Sequence, residues 1–135
     1  MGQQQLLLII LGMIIVGVAV SVGITMFEDN AIMANRDAVT SDLVNLASRA
    51  QMYYRRPASL GGGGNSFVGL TADAPGLAKL TSKSTNANGS YSIITLGTPT
   101  SVVLKGVGTE KGSNGTVIDV RMTVFSDSMY VNQLN

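Results

Sequence analysis

Apolar positions divide the chain into stretches of different period. From Leu6 to Phe27, LLLIILGMIIVGVAVSVGITMF, they run without interruption by Asp, Glu, Lys, Arg, Asn, Gln or Pro, over a length that crosses the hydrocarbon core of a bilayer as a helix. Polarity returns at Glu28 and Asp29, and the apolar positions then thin to Ile32, Val39, Leu43, Leu46, Ala50 and Tyr53. Those three- and four-residue steps make one stripe along a helix, with Arg36, Asp37, Asp42 and Arg49 off it. Because residues 31–54 hold neither Gly nor Pro, the two stretches read as one long helix, apolar on every side in its first half and amphipathic in its second. Arg55 and Arg56 favour the negative end of a helix dipole, and Pro57 pushes Arg56 out of α geometry, which ends the helix there. From Leu6 to Arg55 such a rod measures about 75 Å at 1.5 Å per residue.

Beyond it the pattern changes to short strands broken by turn chemistry. Residues 57–66, PASLGGGGNS, are a loop by composition. Its glycine run lacks a GK[ST] ending and follows a helix, so it is no nucleotide loop; it serves as a turn, or as backbone that packs closely against a neighbour. Pro75-Gly76 is a turn pair, with a short helical turn around residues 77–80. Residues 91–96 and 101–107 are β-branched and apolar runs, and residues 116–125 alternate Ile118, Val120, Met122 and Val124 with Asp119, Arg121 and Thr123, which is the period of a half-buried strand. Asn114-Gly115 predicts a hairpin between the second and third of these. Ser126-Asp127 is a further turn, and residues 129–134 complete a meander of about four strands. The fold class expected is α+β: a long N-terminal helix (1–56, with 6–27 as the transmembrane or filament-core segment and 28–56 amphipathic) packed on a small antiparallel sheet in a β-rich head (57–135).

Within the apolar run, Gly17 and Ser21 are four apart, as are Ala19 and Gly23, with Gly12 adding a further gap. Small residues at this spacing let another helix approach closely, although glycine is also simply commoner in membrane helices than in soluble ones. The same glycines weaken a solvated helix by about 1 kcal/mol each, so 17–23 is also where unwinding would start. The candidate packing residues of the segment are Leu6, Leu7, Ile10, Gly12, Ile15, Gly17, Ala19, Ser21, Gly23 and Phe27. Residues 1–5, MGQQQ, carry no Lys or Arg, unlike the n-region of an ordinary secretory signal, so the segment is expected to stay on the protein. The Gly, Thr, Ser and Asn richness of the head suits a domain outside the cell, which places the N-terminus in the cytoplasm before assembly.

Composition narrows the chemistry. In 135 residues, 9 Lys and Arg nearly balance 8 Asp and Glu, so no net field recruits nucleic acid or an anionic surface. Histidine and cysteine are both absent, which removes the commonest general base, thiolate nucleophiles, disulfides and sulfur-ligated metals together. Glu110 is the one glutamate of the head, and Asp73, Asp119 and Asp127 are far apart in sequence. No carboxylate pair follows from spacing, and Asp119 reads as a solvent-facing strand residue. No catalytic, cofactor-binding or metal residue is assigned, no small-molecule substrate is expected, and the chain reads as a non-enzyme. Asn88 and Asn114 each begin a glycosylation sequon, Asn-Gly-Ser and Asn-Gly-Thr, and both are also turn sequences.

A glycine ahead of a greasy N-terminal helix, an amphipathic continuation, then a loop and a small antiparallel sheet resembles the type IV pilin and pseudopilin family. The resemblance covers the whole chain in architecture and only Gly2 and the apolar run in motif. It implies processing by a prepilin peptidase after Gly2. The family's basic leader is missing, so either the leader is minimal or the sequence begins at or near the mature terminus. The family's glutamate at the fifth mature position falls on Gln5 counting from Met1, or on Leu7 counting from Gln3, and neither carries a charge. Its frequent helix-breaking proline is also missing. As function the resemblance implies the structural subunit of an extracellular pilus-like filament, a polymer of many identical subunits built on the apolar helix. Its partners would be the membrane before assembly and a pilus or secretion assembly machinery. The alternative is a single-pass membrane-anchored binding domain, or a pseudopilin component of a secretion system that forms no long filament.

Overall fold

A computed structural model describes residues 1–134. The fold is α+β: helix α1 (Gly2–Arg55), a 3-10 turn (Ala58–Leu60), a short helix α2 (Ala74–Ala78) and strands β1 (Gly89–Thr95), β2 (Ser101–Lys111), β3 (Val117–Phe125) and β4 (Met129–Gln133). The strands form one antiparallel sheet in the order β1-β2-β3-β4, the meander that the alternating runs and turn residues predict. By contacts the chain divides into two compact units, Met1–Ala31 and Ile32–Asn135.

The second unit has a single core. From α1 it takes Val39, Leu43, Leu46, Ala47, Ala50 and Tyr53; from the sheet Tyr91, Ile93, Val102, Leu104, Ile118, Val120, Met122 and Val124; from the connecting segment Phe67, Leu70, Leu77 and Leu80. Ile32 packs partly buried against it. The helix lies close to the strands because β2 carries glycine where they meet. A Cβ on Gly106 would stand 2.6 Å from Val39 Cγ1 and 3.2 Å from Leu43 Cδ1, closer than packed carbon atoms approach.

Two local readings change. Pro75-Gly76 is no separate turn, since both residues lie inside α2. Asp73 caps that helix by accepting from Gly76 N–H at 3.2 Å, and Pro75 sits in the first turn, where a missing N–H costs nothing. Strand β2 continues past Val107 to Lys111. Its register with β3 slips between these residues, which leaves Thr109 and Glu110 N–H groups without a strand acceptor, and Asn35 Oδ1 on α1 takes both, at 3.0 and 3.3 Å.

The glycine loop closes the end of the helix. Gly63 N–H donates to Tyr53 O at 2.8 Å, Gly64 N–H to Arg56 O at 2.9 Å and Asn65 N–H to Tyr54 O at 2.8 Å, covering carbonyls that a helix C-terminus otherwise leaves unbonded. Both sequence readings of this loop are realised: the chain turns through Gly61 and Gly64, at φ +77° and +58°, and its backbone packs closely against the helix end.

Candidate assembly segment

The segment Leu6–Phe27 is helical throughout. Sixteen large apolar side chains point outward all round it, each 52–78% exposed. Leu6, Leu7, Ile10, Ile15 and Phe27 are among these, and Gly12, Gly17, Ala19 and Ser21 are exposed as well, with Gly23 half-exposed. Gly2 is the first helical residue and is exposed. The helix runs unbroken through Gly17 and Gly23, so the unwinding these glycines permit is not realised. A Cβ placed on Gly12, Gly17 or Gly23 would meet no other group; nothing inside this chain requires glycine there, in contrast to Gly106. The helix is long and apolar enough to cross a membrane.

In residues 32–55 of the same helix, Val39, Leu43, Leu46, Ala50 and Tyr53 are buried and Ile32 is partly buried. This face also carries polar clasps that sequence reasoning missed. Asn35 Nδ2 donates to Asn88 O at 2.9 Å. Asp42 Oδ2 accepts from Asn86 Nδ2 at 2.8 Å, Asn88 Nδ2 at 2.9 Å and Tyr91 Oη at 2.5 Å. Arg49 Nη1 donates to Leu80 O at 3.0 Å. Asn35, Asp42 and Arg49 are seven apart, two helical turns, and so line one flank of the apolar stripe. On the other flank Gln51 Nε2 donates to Phe125 O and Ser128 O at 3.1 and 3.4 Å, clamping the β3–β4 turn. The seven-residue spacing is visible in the sequence but does not identify the partners, which lie 31 or more residues away.

Burial alone would raise the Asp42 carboxyl, but the hydrogen bonds from Asn88, Tyr91 and Asn86 together outweigh it and hold the group below the usual aspartate value. Burial first, then the hydrogen bond to Asp42 and its charge, push the Tyr91 phenol well above the ordinary tyrosine range. Asp42 and Tyr91 line a shallow depression with Arg49, Lys83 and Asn86. Its carboxylate is spent on holding Asn86, Asn88 and Tyr91, a structural use.

Asn88 is half-buried, and the amide nitrogen that a glycan would occupy donates to Asp42. Asn114 is exposed, and its Oδ1 accepts from Thr116 N–H and hydroxyl at 3.1 and 2.7 Å in the β2–β3 turn. Asp119 does not stand free in solvent: it is largely buried on the outer face of the sheet and pairs with Lys105 at 3.0 Å and Arg121 at 3.7 Å. Among the described residues no three Asp or Glu come together as a metal site. No family model, curated protein or solved structure matches this chain.

Proposed function

We propose that this chain is the structural subunit of an extracellular type IV pilus-like filament, held in the membrane by Leu6–Phe27 before assembly and polymerised through the same segment afterwards. The observation that carries the reading is the exposure of sixteen large apolar side chains on all sides of one helix. Removing them from water is worth on the order of 20 kcal/mol, more than the ~5–15 kcal/mol that holds a whole domain folded. Such a segment resides in lipid or among copies of itself. Glycines that no intrachain contact demands add support, since they leave room for close helix approach. The subunit makes and breaks no bond; an assembly machinery moves it from bilayer to polymer, and the head forms the outer wall.

Electron microscopy of a detergent-free fraction sheared from cells making the protein, with the subunit identified by mass spectrometry, tests this. Thin uniform filaments of this chain are the expected result. Protein that stays with the membranes and enters solution only with detergent would instead assign the helix to a permanent single-pass anchor, and the head to binding or secretion-complex work.

A further inference from the structure

The two edges of the head's sheet are finished differently. At β1 the preceding segment lies alongside the start of the strand: Tyr91 N–H donates to Ser84 O at 2.7 Å and Asn86 N–H to Gly89 O at 2.9 Å, so the chain itself closes residues 89–91 of that edge. At β4 nothing does. The β3–β4 hairpin turns on Ser126-Asp127, with Phe125 N–H donating to Ser128 O at 2.8 Å and Leu134 N–H to Asp119 O at 3.0 Å. Thr123 stands opposite Tyr130 and Arg121 opposite Asn132. The alternation of an antiparallel ladder therefore aims the N–H and C=O groups of Tyr130 and Asn132 at β3, and those of Met129, Val131 and Gln133 away from it. Those outward groups have no hydrogen-bond partner among the described residues.

Proteins blunt such edges with charge, proline or bulges. Residues 128–134, SMYVNQL, contain no charge, proline or glycine, and the register with β3 is unbroken. Val131 is 43% exposed on the core side of the sheet, beside Met129, which packs on the core.

We infer that β4 is a docking strand for β4 of a second copy of this chain, the two pairing antiparallel about Val131 so that their sheets join. Three features select that occupant. The edge meets its own copy without like-charge repulsion, and it offers an oppositely charged peptide no charge to recognise. An antiparallel register centred on Val131 sets Met129 against Gln133 of the second copy, so every outward donor finds an outward acceptor. The two Val131 side chains then meet on the core side and extend the apolar layer. Stacking β4 of one copy on the first half of β1 of the next is obstructed by residues 84–86. A two-fold contact closes on itself, so in a polymer it joins two filaments side by side and does not lengthen either.

Cysteine is absent from the chain, so single cysteines introduced into the full-length protein in detergent report the pairing directly, whether or not it polymerises. Across the axis the two Val131 Cα atoms come within roughly 5.5 Å, in disulfide range. The two Gln133 positions are about 13 Å apart along the strand. Val131→Cys should give at least about tenfold more disulfide dimer under mild oxidation than Gln133→Cys. Gln133→Pro added to Val131→Cys removes an outward N–H and leaves the inward ladder whole, so the dimer yield should fall while the far-UV circular dichroism of the head is kept. Equal yields at 131 and 133, as chance collision of apolar helices would give, overturn the proposal. So does a yield that Gln133→Pro leaves unchanged.

Discussion

Helix α1 contains two stretches that solve opposite problems with the same backbone. In Leu6–Phe27 every face is apolar and exposed, and nothing in the chain requires its glycines. In residues 32–55 one face is buried, flanking polar residues clasp the head, and a glycine on the partner strand lets the two surfaces close. The second stretch is finished by its own chain and the first is not, which is why the first is the place to look for other molecules. A helix of uniform composition could not carry both: an all-apolar stripe against the sheet would leave half its surface in water, and an amphipathic span would carry charge into lipid.

The largest effect is expected from making the first stretch resemble the second. Val16→Asp puts a carboxylate in the middle of the apolar run, costing about 2.5–3.5 kcal/mol per helix in an apolar surround. Filaments should disappear under the electron microscope while the thermal melt of the head is unchanged. Filaments of normal yield would remove the segment from the assembly reading. Next comes Leu43→Ala, which empties a fully buried position between helix and sheet and should lower the stability of the head by about 2–5 kcal/mol in denaturant titration. A cost under about 1 kcal/mol would mean that the helix face contributes little to the core. Smaller again is Gly106→Val, which forces Val39 and Leu43 back from β2 and should cost about 1–3 kcal/mol by overpacking. Pairing it with Val39→Ala should recover part of the loss, because the two sites contact one another; strict additivity would count against a shared steric cause.

How much of this was legible beforehand follows the same division. Apolar runs and alternation act locally, so the helix, the four strands, the hairpin turns and the α+β class could all be read from period and turn residues. The polar clasps could not, because Asp42 meets Asn86, Asn88 and Tyr91 only after more than forty residues have folded back on it. Asn35 was invisible for a related reason: its acceptor role depends on a register slip in β2 that no local pattern announces. Pro75-Gly76 misled because the same pair opens a turn or the first turn of a helix, and the choice was made by the Asp73 cap. The open edge at β4 was likewise beyond local reading, since strand order decides which strand is outermost.

The smallest effect is the most diagnostic of the clasp. The folded-state pKa of Asp42 lies below its ordinary value of 3.8, so between the two values the unfolded chain binds more protons than the folded one, and stability rises with pH there. The clasp's contribution is therefore fully present above about pH 4 and is lost as pH falls through the folded-state value. Tyr91 has the opposite sign. Its phenol is held above the ordinary value of 10.0, so the fold keeps its contribution below pH 10 and loses it as the unfolded chain begins to ionise above that. Asp73, held low by Thr71 and Gly76 N–H, acts in the same acid window as Asp42, so the measurement must be a difference. Thermal melts of the head between pH 2.5 and 7 should show that Asp42→Asn lowers stability at neutral pH by about 1–2 kcal/mol and flattens the acid limb. The variant and the native chain should converge at the lowest pH, where both carry a neutral side chain at position 42. Parallel curves across the whole range would show that geometry alone, and not the charge of Asp42, holds Asn86, Asn88 and Tyr91 to the helix.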